Sequence, residues 1–227
     1  MFHKNRVLVV AAHPDDEMLG CGGTLARLKA GGAQITIILL GEGPTSRLSE
    51  GQDSAKNEAA SSAVAAAAIL GLDKVHLGGF PDNRFDTVAM LDIVRKIEAI
   101  GRQVAPELIF THHWGDLNID HRRTHQAVMT AFRPLPGSEK RSILGFEIPS
   151  STEYSPPSPE GAFNPNVFAD ITEFWDLKQK ALTAYASEMR PWPHPRSYEG
   201  VEHLARLRGS QCGVDAAEAF VLIRKVF

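Results

Sequence analysis

The sequence is poor in cysteine and in long hydrophobic runs, and it has no large excess of charge of either sign. Cys21 and Cys212 are the only 2 cysteines among 227 residues, which excludes a small scaffold held together by disulfides. The alanine-rich stretch 59–70 falls well short of the roughly 20 apolar residues that cross a bilayer. The net charge is −3 and the basic residues are scattered. We therefore expect neither a membrane span nor a nucleic-acid partner.

The first residues carry no recognisable export signal. The apolar run Val7–Ala12 is short and is followed at once by His-Pro-Asp-Asp, unlike the apolar core of a signal peptide. We therefore expect a cytoplasmic protein whose two thiols are reduced. The sequence leaves the oligomeric state open, a homo-oligomer included.

Length and composition indicate one globular domain over residues 1–227. The apolar fraction is 43% and the charged fraction is 22%, both close to the averages for globular proteins. A chain of this length buries well over half of its unfolded surface as a single domain. No internal repeat or low-complexity tract divides it.

Apolar runs alternate with helical patterns through the first 132 residues. The runs are almost continuously apolar, which is typical of strands buried on both faces in a parallel sheet covered by helices. We therefore predict an α/β fold with a Rossmann-like, doubly wound, mostly parallel sheet flanked by helices. The predicted strands are Arg6–Ala12, Gln34–Leu40, Lys74–Leu77 and Leu108–Thr111, and the predicted helices are Thr24–Ala30, Asp53–Leu70, Asp86–Ile100 and His121–Phe132.

The rest of the chain has a less regular pattern. Ser142–Pro149 and Val167–Ile171 are typical of strands, Thr172–Glu188 of a helix and Ala219–Val226 of a last strand. The proline-rich segment Ser155–Asn166 is long for a loop in a compact domain. It is therefore either a lid over a binding site or a surface excursion.

One imidazole and three carboxylates follow the first predicted strand, in the string His13-Pro-Asp-Asp-Glu17. Ligands of open α/β sheets bind at the carboxyl ends of the strands, where this string lies. Crowded carboxylates raise one another's pKa unless a cation neutralises them, so a metal ion accounts for the cluster. His13 and Asp16 can face one ion, and Asp15 can face a metal-bound water. The alternative is an Asp-rich turn that caps the next helix.

A second polar string, Thr111–His125, follows the fourth predicted strand and contains four histidines. If the first and fourth strands are neighbours, the two strings share one metal. Two nitrogens and one carboxylate oxygen, with a position left for water, are typical of catalytic zinc, although other divalent ions accept the same ligands. His121 is the best third ligand, and Asp120 can orient an imidazole. His125, one turn later, either supports the site or lies on the surface.

The two strings resemble those of the PIG-L/LmbE-like family of zinc-dependent N-acetylglucosaminyl deacetylases, and Phe80-Pro-Asp-Asn-Arg84 is similar as well. The resemblance implies a zinc ion held by His13, Asp16 and His121. It also implies that Asp15 acts as general base, taking a proton from the water that attacks the amide carbonyl.

One position departs from the family's pattern. Asn118 stands where several members have a histidine that helps to polarise the substrate carbonyl. Another group must then supply that help, and His113 and His194 are the candidates.

Polar residues after the second and third predicted strands fall on the same edge of the sheet and suit the hydroxyl groups of a sugar. For the two arginines, a solvated surface charge is the alternative. The candidates for substrate binding are Arg47, Asp82, Asn83, Arg84 and Asn118.

Three other functions compete with an amino-sugar deacetylase. A zinc amidase or esterase for a non-sugar substrate would use the same metal site. A non-catalytic Rossmann-type ligand-binding domain would need no metal, but Gly20-Cys-Gly-Gly23 does not match the dinucleotide-binding pattern and follows acidic residues that repel a pyrophosphate. A structural protein leaves the clusters at two strand ends unexplained.

Overall fold

A sheet of buried strands forms the centre of the molecule. The structure is a computed structural model and describes residues 5–43, 52–159 and 161–226. Within these ranges the strand order is β3-β2-β1-β4-β5-β7-β6, with β1 to β5 parallel and β7 antiparallel to both of its neighbours. The strands are β1 (Arg6–Ala11), β2 (Gln34–Gly41), β3 (Lys74–Phe80), β4 (Leu108–His112), β5 (Ser142–Phe146), β6 (Val167–Asp170) and β7 (Ala217–Arg224).

Helices cover both faces of this sheet, which confirms the predicted doubly wound α/β fold. One apolar core lies under α1, α2 and α5, and the other under α3 and α4. None of the helices in the described part of the chain is both long enough and apolar enough to cross a bilayer. The helices are α1 (Asp16–Ala30), α2 (Gln52–Ile69), α3 (Met90–Val104), α4 (Ile119–Ala131), α5 (Trp175–Leu182) and α6 (Tyr198–Ser210), with 3-10 turns at Phe85–Thr87, Thr172–Phe174 and Thr183–Tyr185.

The position of β1 explains its continuous apolar sequence. Successive side chains of a strand point to opposite faces of the sheet. Val7 and Val9 therefore pack in one core, while Leu8 and Val10 pack in the other, and all four are fully buried.

β1 and β4 are neighbours, as the shared-metal hypothesis requires. Val7 pairs with Leu108 and Val10 with Thr111 in parallel register. Chain order reverses here, because β2 lies on one side of β1 and β4 on the other. The loops after these two strands consequently meet at the switch point, where ligands of doubly wound sheets bind.

The predicted start of the first helix at Thr24 is wrong, since α1 begins at Asp16. Glycine disfavours helix, so a helix that contains Gly20 and Gly23 is hard to recognise from its sequence. Close packing explains why these glycines lie within α1. A Cβ on Gly20 would lie 2.6 Å from Phe146 Cδ2, and one on Gly23 would lie 2.8 Å from Ile171 Cδ1.

The last third of the chain contains a helix that the sequence patterns did not predict. α6 begins after Ser197, whose side chain accepts a hydrogen bond from the Gly200 N–H at 2.9 Å. The predicted helix Thr172–Glu188 is interrupted by 3-10 turns, and its α-helical part is α5 alone. The described residues of Ser155–Asn166 form neither helix nor strand, in agreement with a loop.

A buried ion pair is bonded to the backbone of α1. Lys178 Nζ lies 2.6 Å from Glu218 Oε1 and also donates to the Leu19 carbonyl at 2.9 Å. Glu218 in turn accepts hydrogen bonds from the N–H groups of Gly23 and Thr24 at 2.9 and 2.7 Å. Through this pair, β7 and α5 fix the position of the helix whose first residue is Asp16.

We expect Lys178→Met to lower the free energy of unfolding by about 3–5 kcal/mol, because Glu218 would remain buried without its cation. The two side chains are only 3% and 5% exposed. Urea denaturation followed by circular dichroism measures the loss. Arg206→Met is the control, since it breaks the exposed pair with Glu202 and should cost at most about 1 kcal/mol. Equal losses of unfolding free energy in the two variants would contradict a special cost of leaving Glu218 buried without its cation.

Candidate metal centre

Three side chains converge where β1 and β4 end. His13 lies in the turn after β1, Asp16 is the first residue of α1, and His121 lies in the first turn of α4. Their ligand atoms form a nearly equilateral triangle. His13 Nδ1 and His121 Nε2 each lie 3.4 Å from Asp16 Oδ2, and 3.3 Å from each other.

This triangle fits one face of a zinc coordination tetrahedron. Zinc bonds to nitrogen and carboxylate oxygen are about 2.0–2.1 Å long, so tetrahedral ligand atoms lie about 3.3–3.4 Å apart. The three atoms occupy three corners, and the cavity lies beside them. Two nitrogens, one oxygen and a free corner are the donor set of a catalytic rather than a structural zinc.

Carboxylates behind His13 orient its ring. Its Nε2 lies 3.0 Å from Asp120 Oδ2 and 3.4 Å from Asp82 Oδ1. Asp120 is itself held, because its other oxygen accepts the Phe85 N–H at 2.9 Å. A proton on Nε2 leaves Nδ1 free to bind a metal, which is how such outer carboxylates tune ligand histidines.

His121 has an equivalent support that the sequence reasoning did not assign. Its Nδ1 lies 3.1 Å from Asp116 Oδ1. Asp116 accepts hydrogen bonds from the hydroxyls of Ser151 and Thr152 and from the Asn118 N–H. The second polar string contains Asp116 and Asp120, but a linear pattern does not tell which carboxylate faces which imidazole.

His112 is buried beside the triangle and supports it. Its Nε2 accepts the Ala12 N–H at 2.8 Å, and its ring stacks on that of His121 with centroids 4.0 Å apart. Burial lowers the pKa of His112, so the ring is neutral. The ring therefore ties the end of β1 to the end of β4.

The buried carboxylates around the triangle favour positive charge beside them. Burial opposes a proton on His121, but Asp16 and Asp116 raise its pKa to about 9. Burial also opposes a proton on His13, but Asp120 and Asp16 raise its pKa well above the usual value. Burial opposes ionisation of Asp16, yet the neighbouring histidines hold its pKa well below the usual range. A divalent ion bound to the two histidines would displace their protons.

Asp15 projects into the same cavity from a constrained backbone. Its φ is 116°, its N–H donates to Glu17 Oε2 at 3.1 Å, and its Oδ2 accepts from Arg196 Nη1 at 2.8 Å. Burial and the nearby Asp16 raise the pKa of Asp15 to about 7, and Arg196 opposes that rise. A carboxyl group with a pKa near neutrality can both take and return a proton.

Glu17 lies beneath the cavity and holds Asp15 in place. Its second oxygen accepts the Tyr185 hydroxyl at 2.5 Å. Burial raises the pKa of Glu17 to about 8. The residue is 1% exposed, so it supports the site from behind and does not face a substrate.

The two histidines proposed as carbonyl-polarising groups do not line the cavity. His113 Nε2 donates to the Gly161 carbonyl at 2.9 Å, and its ring packs edge-on against Phe163. His194 Nδ1 accepts the Arg196 N–H at 3.0 Å. The structure instead brings Arg196 itself into the cavity, a residue that no local pattern indicated.

Three of the five candidate substrate residues line the cavity. These are Asp82, Asn83 and Asn118, and the Asn118 amide donates to Asn83 Oδ1 at 3.1 Å. Arg84 is exposed and is not among the lining residues. Arg47 lies outside the described residues.

His125 does not reach the metal triangle. Its Nδ1 donates to the carbonyl of His112 at 2.9 Å, and Trp114 packs against its ring. Of the two alternatives, a supporting position behind β4 therefore agrees with the structure.

Comparisons with known proteins place this chain in a family. Residues 8–132 match the family model described as PIG-L: GlcNAc-PI de-N-acetylase. An uncharacterised deacetylase, YaiS, of Escherichia coli K12 is 30% identical over 190 residues, 80% of this chain and 90% of the relative. A probable N-acetyl-alpha-D-glucosaminyl L-malate deacetylase 2 of Bacillus cereus is 26% identical, covering 82% and 84%.

Structural comparison agrees. The crystal structure of the conserved protein TT1542 from Thermus thermophilus superposes with a TM-score of 0.75 at 29% identity, covering 98% of this chain and 96% of that one. One relative has a different activity: a 4-oxalmesaconate hydratase of Pseudomonas putida is 26% identical over 82% of this chain and 75% of its own length. The family match over more than half of the chain and the deacetylase relatives together show that this protein belongs to the PIG-L deacetylase family.

Proposed function

We propose that the protein is a zinc-dependent deacetylase that hydrolyses the N-acyl group of an amino sugar or of its conjugate. The observation that carries the proposal is the triangle of His13 Nδ1, Asp16 Oδ2 and His121 Nε2, with edges of 3.3–3.4 Å, in one cavity with Asp15. This combination places a proton acceptor beside a metal site with a free coordination position.

Zinc at such a site lowers the pKa of a bound water toward neutrality and polarises a carbonyl group. Asp15 accepts the proton of the attacking water and later returns it to the leaving amine. Asp120 and Asp116 hold the rings of His13 and His121, so that one nitrogen of each, with Asp16, would hold the zinc ion. Arg196 and Glu17 hold Asp15 so that its carboxylate stays in the cavity.

A sugar is the substrate class that the cavity supports best. Asp82, Asn83 and Asn118 offer both hydrogen-bond donors and acceptors, as hydroxyl groups require. The family description names a GlcNAc conjugate, and the Bacillus cereus relative is named for another. We also propose a cytoplasmic location, which the free state of Cys21 and Cys212 supports.

Amine release tests the proposal directly. We expect the zinc-loaded protein to liberate amine from N-acetylglucosamine conjugates, and a chelator to abolish the release until zinc is restored. Iron, cobalt and nickel are compared in the same reconstitution, since the ligand set accepts several ions.

Parallel substrates separate the competing functions. Release from acyl amino acids or esters alone would indicate a non-sugar hydrolase. Hydration of 4-oxalmesaconate without amine release would favour the activity for which the Pseudomonas putida relative is named. A protein that binds no metal and binds nucleotides would be a Rossmann-type binding domain, and the proposal would be wrong.

A further inference from the structure

Several polar side chains that line the cavity hold one another in place. The Ser151 hydroxyl donates to Asp116, the Asn118 amide to Asn83, and the Asn83 amide to Asp82. Each asparagine amide also carries a second N–H, which suits the hydroxyl groups of the proposed sugar. His13 and His121 direct a nitrogen at the triangle, and none of these side chains is a permanent cation.

Arg196 is the exception among the described lining residues. It is the only arginine or lysine there, and its guanidinium is held on two sides. Nη1 donates to Asp15 Oδ2 at 2.8 Å and Nε donates to Ser150 Oγ at 2.9 Å. Nη2 has no partner in the described part of the chain. A pre-positioned guanidinium thus presents a free donor beside the proposed base.

Because Arg196 is bonded to Asp15, both side chains would act on the same amide group of a substrate. Arg196 Nη1 and Nη2 belong to one rigid planar group, so an oxygen bound at Nη2 lies next to the Asp15 carboxylate. A carbonyl oxygen held there would turn its carbon toward the water from which Asp15 takes a proton. Preorganised donors aimed at developing negative charge are a major source of catalysis.

We propose that Arg196 is a catalytic residue whose Nη2 donates a hydrogen bond to the carbonyl oxygen of the scissile amide. The inference rests on the proposed deacetylase function and gives Arg196 the polarising task for which His113 and His194 were candidates, since neither histidine lines the cavity.

The proposed step begins with attack of water on the amide carbonyl and ends with loss of the amine. The water oxygen forms a bond to the carbonyl carbon, its proton moves to Asp15, and the carbonyl electron pair moves onto the oxygen held by Arg196. The carbonyl then re-forms as the C–N bond breaks, and the proton on Asp15 passes to the amine. The products are the free amine and a carboxylic acid, which loses its remaining proton to solvent and becomes the carboxylate.

Kinetics of Arg196→Gln on two substrates test this role. On an N-acetylglucosamine substrate we expect kcat to fall by about 10²–10³-fold, with zinc content unchanged. On the N-trifluoroacetyl analogue the fall should be at least about tenfold smaller, because that carbonyl is already electron-poor and depends less on a donor. Arg196→Ala should regain activity when guanidinium is added.

Arg206→Gln is the matched control, since it makes the same chemical change at an exposed arginine of α6 that lies outside the cavity. It should retain most of the wild-type kcat. Equal losses of Arg196→Gln on both substrates, absence of guanidinium rescue, or loss of zinc would overturn the inference and leave the proposed function intact. If wild-type protein releases amine from neither substrate, the proposed function and this inference fall together.

Discussion

Asp15→Asn is expected to lower kcat for deacetylation by about 10²–10⁴-fold, the range that a general base contributes. Asparagine keeps the size of the side chain and can still bond to Arg196, but it cannot accept a proton from water. His13, Asp16 and His121 are unchanged, so the zinc content should equal that of the wild type. Steady-state amine release and metal analysis on the same preparations give the result.

Asp92→Asn is the control for this substitution. It makes the same chemical change at an exposed position on α3 and should leave both kcat and zinc content unchanged. An Asp15→Asn enzyme of full activity would show that the proton passes to another group, and the proposed mechanism would be wrong even with zinc bound.

His121→Ala is expected to lose zinc and, with it, at least about 10³-fold in activity, because several kcal/mol of metal-derived transition-state stabilisation disappear. Two ligand atoms of the triangle remain, one from His13 and one from Asp16. Metal analysis after dialysis against a weak chelator measures the first effect, and amine release measures the second.

His125→Ala tests the specificity of that loss. It removes an imidazole from the same helix, one turn later, whose ring bonds to a backbone carbonyl and not to the triangle. It should keep its zinc. Retention of zinc by His121→Ala, or equal loss from both variants, would contradict the assignment of His121 as a ligand.

Sequence reasoning could select side chains that lie in short strings at strand ends. His13 and Asp16 belong to one such string, and His121 belongs to another that follows the neighbouring parallel strand. Parallel strands end at a common edge, so the strings meet once the first and fourth strands are neighbours, a condition that the strand order meets. Asp120 also lies behind a ligand imidazole, as its position next to His121 suggested.

The same reasoning could not find contacts between distant parts of the chain. Arg196 meets Asp15 across 181 positions, through a proline-rich segment with no periodic pattern. The two candidates that it named instead, His113 and His194, bond to the Gly161 carbonyl and to the Arg196 N–H. It also began the first helix after Gly20, which lies inside α1 and packs closely against Phe146.

The left-handed backbone of Asp15 affects which substitutions position 15 can accept. A non-glycine residue at a φ of 116° costs on the order of 1–3 kcal/mol, and it persists here because Glu17 and Arg196 hold it on both sides. Glycine would relieve that cost but would remove the carboxylate. Under the proposed mechanism, stability favours glycine at position 15, whereas turnover requires the aspartate that is present.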